Sequence, residues 1–125
     1  MSILILNLSQ RRLGTSALLG RLMQEQLGEQ TQLWSCLDIE AAWDSFLEAA
    51  GLADTWIFIT PCYVNAIPGD AVEVLAKLHQ AELSRNKYVY AIAQGGMPYA
   101  HTHHCCIGNI ELFARAMQLR WMGGL

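Results

Sequence analysis

Strand-like and helix-like segments alternate along the chain, which predicts an α/β fold built on a parallel sheet. Two further observations point the same way. The first strand candidate, Ile3-Leu4-Ile5-Leu6, is continuously apolar, as expected of a strand covered on both faces. The length of 125 residues suits a single domain over residues 1–125. It holds about four and a half strand–helix units of roughly 25–30 residues each.

Each element has its own signal. After the first strand, Asn7 to Gly14 is polar and basic. Leu18, Leu19, Leu22, Met23 and Leu27 then recur at helical spacing, with Thr15 or Ser16 as the cap and Gly28 as the stop. Thr31 to Leu37 reads as a second strand. Asp38 is positioned to cap a second helix whose apolar stripe is Ala41, Ala42, Phe46, Leu47 and Ala50, closed by Gly51. Trp56 to Ile59 is a third strand, rich in β-branched and aromatic residues. Pro68 suits the start of a third helix carrying Val72, Val74, Leu75 and Leu78. Lys87 to Ala93 is the fourth strand, His104 to Met117 the fourth helix, and a fifth strand begins near Leu119.

Composition narrows the class. With 53% hydrophobic and 15% charged residues, the chain is neither disordered nor of low complexity. A net charge of −3 gives no basic surface for nucleic acid. The charge is unevenly spread: nine acids and no Lys or Arg lie between Leu22 and Ala76, against eight basic residues and two acids elsewhere. Arg11, Arg12 and Arg21 could thus form a positive region for an anion. Cys36, Cys62, Cys105 and Cys106 do not make a secreted disulfide pattern. No signal-peptide pattern opens the sequence and no apolar run has the length of a membrane span, so a reduced, cytoplasmic protein is expected.

In an open α/β sheet, ligands bind beyond the carboxyl ends of the strands. Three loops leave such ends. Asn7–Ser16 runs into a helix N-terminus, where unpaired amides and the helix dipole favour phosphate. It has neither a Walker ending nor a Gly-x-Gly-x-x-Gly fingerprint, and Asn7-Leu8 lacks the paired acids of a receiver domain. Thr60–Pro68 is stiffened by prolines and offers Tyr63 for stacking and Asn65 for polar contact with a flat heterocycle. Gln94–His103 opens on Gly95-Gly96, which permits close backbone approach.

The first loop, Ser9-Gln10-Arg11-Arg12-Leu13-Gly14-Thr15-Ser16, resembles the phosphate loop of the flavodoxin-like NADPH-dependent FMN reductases. That pattern is Ser-Pro-Arg, two variable residues, then Gly-Asn-Ser or Gly-Asn-Thr. Thr60-Pro61-Cys62-Tyr63-Val64-Asn65-Ala66-Ile67-Pro68 resembles the family's Thr-Pro-x-Tyr loop around the isoalloxazine, and Gln94-Gly95-Gly96 its third, glycine-bearing loop. Leu8, Gln10 and Thr15 depart from the usual Gly, Pro and Asn.

The resemblance implies a three-layer sandwich with sheet order 2-1-3-4-5, which makes the three loops neighbours. It implies non-covalent FMN, reduced by NAD(P)H, with electrons passed to a quinone, an azo or nitro compound or a metal ion. Ser9, Arg11, Thr15 and Ser16 would hold the phosphate. Pro61, Cys62, Tyr63, Val64 and Asn65 would line the ring, with Gly95 and Gly96 at its other edge. The cofactor carries the chemistry, so no catalytic acid or base is assigned. A flavodoxin-like electron carrier and a flavin-free interaction module are the alternatives.

His101-Thr102-His103-His104-Cys105-Cys106 holds metal-ligating residue types without the paired spacings of a structural zinc site, so no metal is expected. The cluster could instead border the ring pocket. The half unit left over by the length leaves the fifth strand short and the final helix missing. In this fold the first and fifth helices share a sheet face, so apolar surface is expected beside strands one and three. The chain is then a piece of a longer reductase or a homo-oligomer, most simply a dimer.

Overall fold

A computed structural model describes residues 2–63, 67–96 and 103–125. Five parallel strands form one sheet: β1 (Ile3–Asn7), β2 (Thr31–Ser35), β3 (Thr55–Pro61), β4 (Tyr88–Gln94) and β5 (Arg120–Gly124). Their order is β2-β1-β3-β4-β5, as the sequence led one to expect. The helices are α1 (Thr15–Leu27), α2 (Cys36–Ile39), α3 (Trp43–Leu52), α4 (Gly69–Gln80) and α5 (His104–Ala116).

Side-chain alternation along the strands divides the core between the two sheet faces. Leu4, Leu6, Trp56 and Phe58 point to the face covered by α3, α4 and α5, where they join Phe46, Leu78, Ile110 and Phe113. Ile3, Ile5, Ile57 and Ile59 point to the other face, against Leu19, Met23 and Leu27 of α1. That close approach uses Gly20: a Cβ there would stand 2.9 Å from Leu33 Cδ1.

The exposed apolar surface on the α1 face lies elsewhere than expected. α1 covers strands β1 and β3, and their four isoleucines are buried. The exposed apolar groups of β4 on that face are Tyr88 and Tyr90, and Met122 of the bulged β5 is exposed as well. α1 packs mainly on β1, β2 and β3, and reaches only the carboxyl end of β4, at Ile92 and Gln94.

The region after β2 also differs from expectation. One helix capped by Asp38 was expected; instead the strand stops at Ser35, whose hydroxyl accepts from the Leu37 amide at 3.2 Å and caps α2. A 3₁₀ turn follows over Glu40–Ala42. Ala42 then leaves the helical region (φ −131°, ψ 42°), and α3 restarts at Trp43. α3 runs past Gly51 to Leu52 because its last carbonyls find partners. Trp56 Nε1 donates to the Ala50 carbonyl at 3.0 Å, and the buried Lys87 Nζ donates to the Gly51 and Ala53 carbonyls at 2.8 and 2.6 Å. Those bonds offset the cost of burying an ammonium. Among the described residues no helix is long and apolar enough to cross a membrane.

Candidate functional site

The loops after β1, β3 and β4 meet at the carboxyl edge of the sheet, because those three strands are adjacent. Two hydrogen bonds knit them together. The Cys62 amide donates to the Gln94 carbonyl at 2.8 Å, extending the β3–β4 ladder past Pro61. Gln94 Nε2 donates to the Ser16 hydroxyl at 3.2 Å, joining the end of β4 to the first turn of α1.

The first loop is shaped by its own short side chains. The buried Asn7 Oδ1 accepts from the Ser9 amide at 2.9 Å, and the Ser9 hydroxyl accepts from the Arg11 amide at 3.0 Å. These are local side-chain-to-backbone turns of the kind Asn and Ser favour. Gln10 Nε2 reaches Asp70 Oδ2 at 2.8 Å, anchoring the loop to α4. Arg12 is paired with Asp38 at 3.0 Å, and both side chains are largely exposed. That pair also holds the Arg12 pKa above its usual value, through the Asp38 hydrogen bond first and its charge second. One of the three arginines of the basic segment is therefore engaged with the acidic stretch. Arg11 is exposed and makes no ion pair among the described residues.

α1 begins without a side-chain cap: Gly14 occupies the cap position, and neither Thr15 nor Ser16 fills that role. The reason is visible for Ser16, which is fully buried inside the first turn, its hydroxyl facing Gln94. The first-turn amides of α1 thus lack the intrahelical acceptors of later turns, and Thr15 is exposed beside them. Ser9 is buried at 3% exposure. Both serine hydroxyls accept a bond within the protein and keep their own proton to donate.

At the second loop, Pro61 is buried as the last residue of β3, Cys62 is half-buried, and Tyr63 is 42% exposed. Val64 and Asn65 lie outside the described residues, as does His101. At the third loop the two glycines differ. A Cβ on Gly95 would meet His103 Nε2 at 2.8 Å and Cys62 Cβ at 3.5 Å, whereas one on Gly96 would find nothing within 4 Å. Gly95 therefore admits the His103 imidazole, and Gly96 is the open position. Among the described residues no group of three or more His, Cys, Asp or Glu is placed to hold a metal ion.

Two further residues at this edge carry structure without having been given a site role: Gln94, which merely opened the third loop, and Asp70. Gln94 could have been found as the first polar residue after an apolar strand. Asp70 had no such signal, since its role comes from a contact across sixty positions of sequence.

An apolar groove of about 670 Å³ lies between α4 and α5, lined by Val72, Leu75, His79, Leu112 and Phe113. Ile67, near the end of the second loop, also lines it.

The sequence matches no protein-family model and no curated protein. Solved structures do match it. The Trp repressor binding protein from Bacillus subtilis superposes with a TM-score of 0.76 at 19% identity, over 99% of this chain and 82% of that one. An NADH:FMN oxidoreductase in its apo form gives 0.74 at 20% identity, over 98% and 73% of the two chains. A Fusobacterium nucleatum flavodoxin bound to flavin mononucleotide gives 0.68 at 12%, over 97% and 68%.

The chain has the flavodoxin-like fold.

In that fold the convergence seen here, of the loops after β1, β3 and β4, falls at the switch point where the chain reverses from β1 to β3. That edge carries the first-turn amides of α1, the exposed Arg11 and the exposed Tyr63.

Proposed function

We propose that the chain is an FMN-dependent NAD(P)H oxidoreductase that passes electrons to a small acceptor such as a quinone, an azo or nitro compound or a metal ion. The observation that carries this reading is the uncapped first turn of α1 with exposed Arg11 beside it, tied through Ser16 and Gln94 to the other two loops. The donor set fits a phosphate: first-turn amides, the Arg11 guanidinium, and the hydroxyls of Thr15, Ser9 and Ser16. Tyr63 and the open Gly96 suit the ring. Pro61, Cys62 and Gly95 shape the edge it would meet, and Val64 and Asn65 belong to the same loop. Similarity to an NADH:FMN oxidoreductase supports the reading.

FMN, when bound, supplies hydride acceptance from NAD(P)H and onward electron transfer. The protein's part is to hold the phosphate against α1, to orient the ring between the second and third loops, and to shield it. We place the protein in the cytoplasm, in keeping with four cysteines that form no disulfide.

Titration of purified protein with FMN, followed by flavin fluorescence and absorbance, tests the assignment. Saturable binding is expected, weakened about tenfold by Arg11→Ala, as for one charge-assisted hydrogen bond of roughly 1.5 kcal/mol. Riboflavin, which lacks the phosphate, should be indifferent to that change. Protein that ignores FMN sinks the proposal. If FMN binds but NADH and NADPH are not consumed with a quinone, the chain is an electron carrier instead.

A further inference from the structure

A second cavity, of about 250 Å³, lies between α1 and the paired ends of β1 and β2. None of Ser9, Arg11, Thr15 and Ser16 lines it. Ala17 of α1 and Leu33 of β2 give it an apolar floor, and Asn7, Arg12, Arg21, Ser35 and Asp38 surround that floor with polar groups. The sheet register explains why they meet. Asn7 pairs with Ser35, so both side chains leave the face that α1 covers, as the pair Ile5 and Leu33 does. Ala17 and Arg21 are one turn apart on α1 and share a helix side.

The lining is a set of donors in want of an acceptor. Asn7 is 4% exposed. Its Oδ1 is taken by the Ser9 amide, and among the described residues its Nδ2 reaches no acceptor. Buried amides are normally paired, and the cavity is what this one borders. The Ser35 hydroxyl accepts from the Leu37 amide and keeps its own proton to donate. Arg21 is exposed and makes no ion pair among the described residues. Arg12 and Asp38 neutralise each other at the rim, 3.0 Å apart, and Arg12 keeps guanidinium protons beyond those that bind Asp38. The lining therefore carries a net positive charge.

We propose that this cavity is a second oxyanion site, taking a dianionic phosphate group either as the free ion or as the phosphomonoester of a nucleotide. Arg21 supplies the charge-assisted bond, and Asn7 Nδ2 and the Ser35 hydroxyl supply neutral ones. Those donors come from α1, β1 and β2, and a phosphate presents three terminal oxygens to such a set where a carboxylate presents two. Asp38 is the one carboxylate on the lining, and it weakens the anion's binding by repulsion. The site uses none of the side chains assigned to flavin and stands whether or not the chain binds it.

The test is an amide NMR titration of the folded protein with inorganic phosphate at constant ionic strength. The Arg21 and Ser35 amides should shift and saturate. Arg21→Ala changes an exposed residue, so the fold is kept; it should weaken binding at those amides about tenfold. Arg11→Ala should leave them unchanged, which separates this site from the loop proposed for the flavin phosphate. Asp38→Asn should tighten binding severalfold. Adenosine monophosphate, with adenosine as its control, tells the sources apart: binding tighter than inorganic phosphate marks a nucleotide, equal or weaker binding marks the free ion, and either result upholds the site. Shifts that rise without saturating, that are confined to the Thr15 and Ser16 amides, or that ignore Arg21→Ala overturn the proposal.

Discussion

Gln94 and Ser16 are seventy-eight positions apart in sequence, yet the amide of one donates to the hydroxyl of the other at 3.2 Å. The bond fixes the spacing between the first and third loops of the candidate site. Gln94→Ala should cost about 1 kcal/mol of stability, the usual net value of one partly buried hydrogen bond. It should also weaken FMN binding severalfold by loosening the loop geometry. A double-mutant cycle with Ser16→Ala, read by urea unfolding, should show a coupling of about 0.5–1.5 kcal/mol. Strict additivity would mean that the two side chains do not act together.

Gly95 faces His103 more closely than any side chain would allow. A methyl group at position 95 would stand 2.8 Å from Nε2 and 3.3 Å from Cδ2 of the imidazole. Gly95→Ala should therefore destabilise by roughly 1–3 kcal/mol, as overpacking does. Because the obstacle is a side chain, the loss should largely vanish in a His103→Ala background. Thermal melts of the four proteins decide it; a Gly95→Ala penalty that persists without His103 would locate the strain in the backbone instead.

The sheet order was legible because apolar strands and amphipathic helices differ in period, and the resemblance of the loops supplied the topology. The break between α2 and α3 was not legible. Asp38 looked like a cap by its residue type, but the choice between it and Ser35 depends on where β2 stops pairing with β1. The convergence of the three loops follows from the adjacency of β1, β3 and β4. The site's internal wiring was hidden, because Gln94 to Ser16 and Gln10 to Asp70 are tertiary contacts with no local pattern. Ser9 shows the same limit: residue type offered a hydroxyl donor, and its buried turn with Asn7 and Arg11 emerges only in three dimensions.

Cys36 ties the start of α2 to the first loop, its thiol donating to the Ser9 carbonyl at 3.4 Å. Burial first, and the Asp70 charge second, push its pKa from 9.0 to about 11. The folded protein therefore keeps a proton that the unfolded chain releases. Its contribution is intact below pH 9 and is lost as the pH rises toward 11, by about 2–3 kcal/mol in all. Urea midpoints from pH 8 to 11 should fall more steeply in wild type than in Cys36→Ala. Parallel curves for the two proteins would contradict this.

The uncovered side of the sheet makes the last prediction. Tyr88 and Tyr90 are 38% and 41% exposed on β4, and Met122 is 48% exposed on β5. Strand alternation from Ile92, which packs against the α1-side cluster, puts both tyrosines on the α1 face, and the bulge opposite Val89 and Tyr90 leaves Met122 unpaired beside them. Arg120 lies over the Tyr88 ring, 5.3 Å from its centroid, and donates to its hydroxyl at 3.0 Å. The patch thus combines apolar area with Tyr and Arg, the residue types enriched where interfaces draw their energy. We propose that two copies of the chain associate through it, burying β4 and β5 beyond the reach of α1. Light scattering after size exclusion should give a dimer at micromolar concentration. Tyr90→Glu should weaken it at least about tenfold, while circular dichroism stays unchanged, since Tyr90 packs on neither core cluster. A wild-type monomer across the accessible concentration range rules the dimer out.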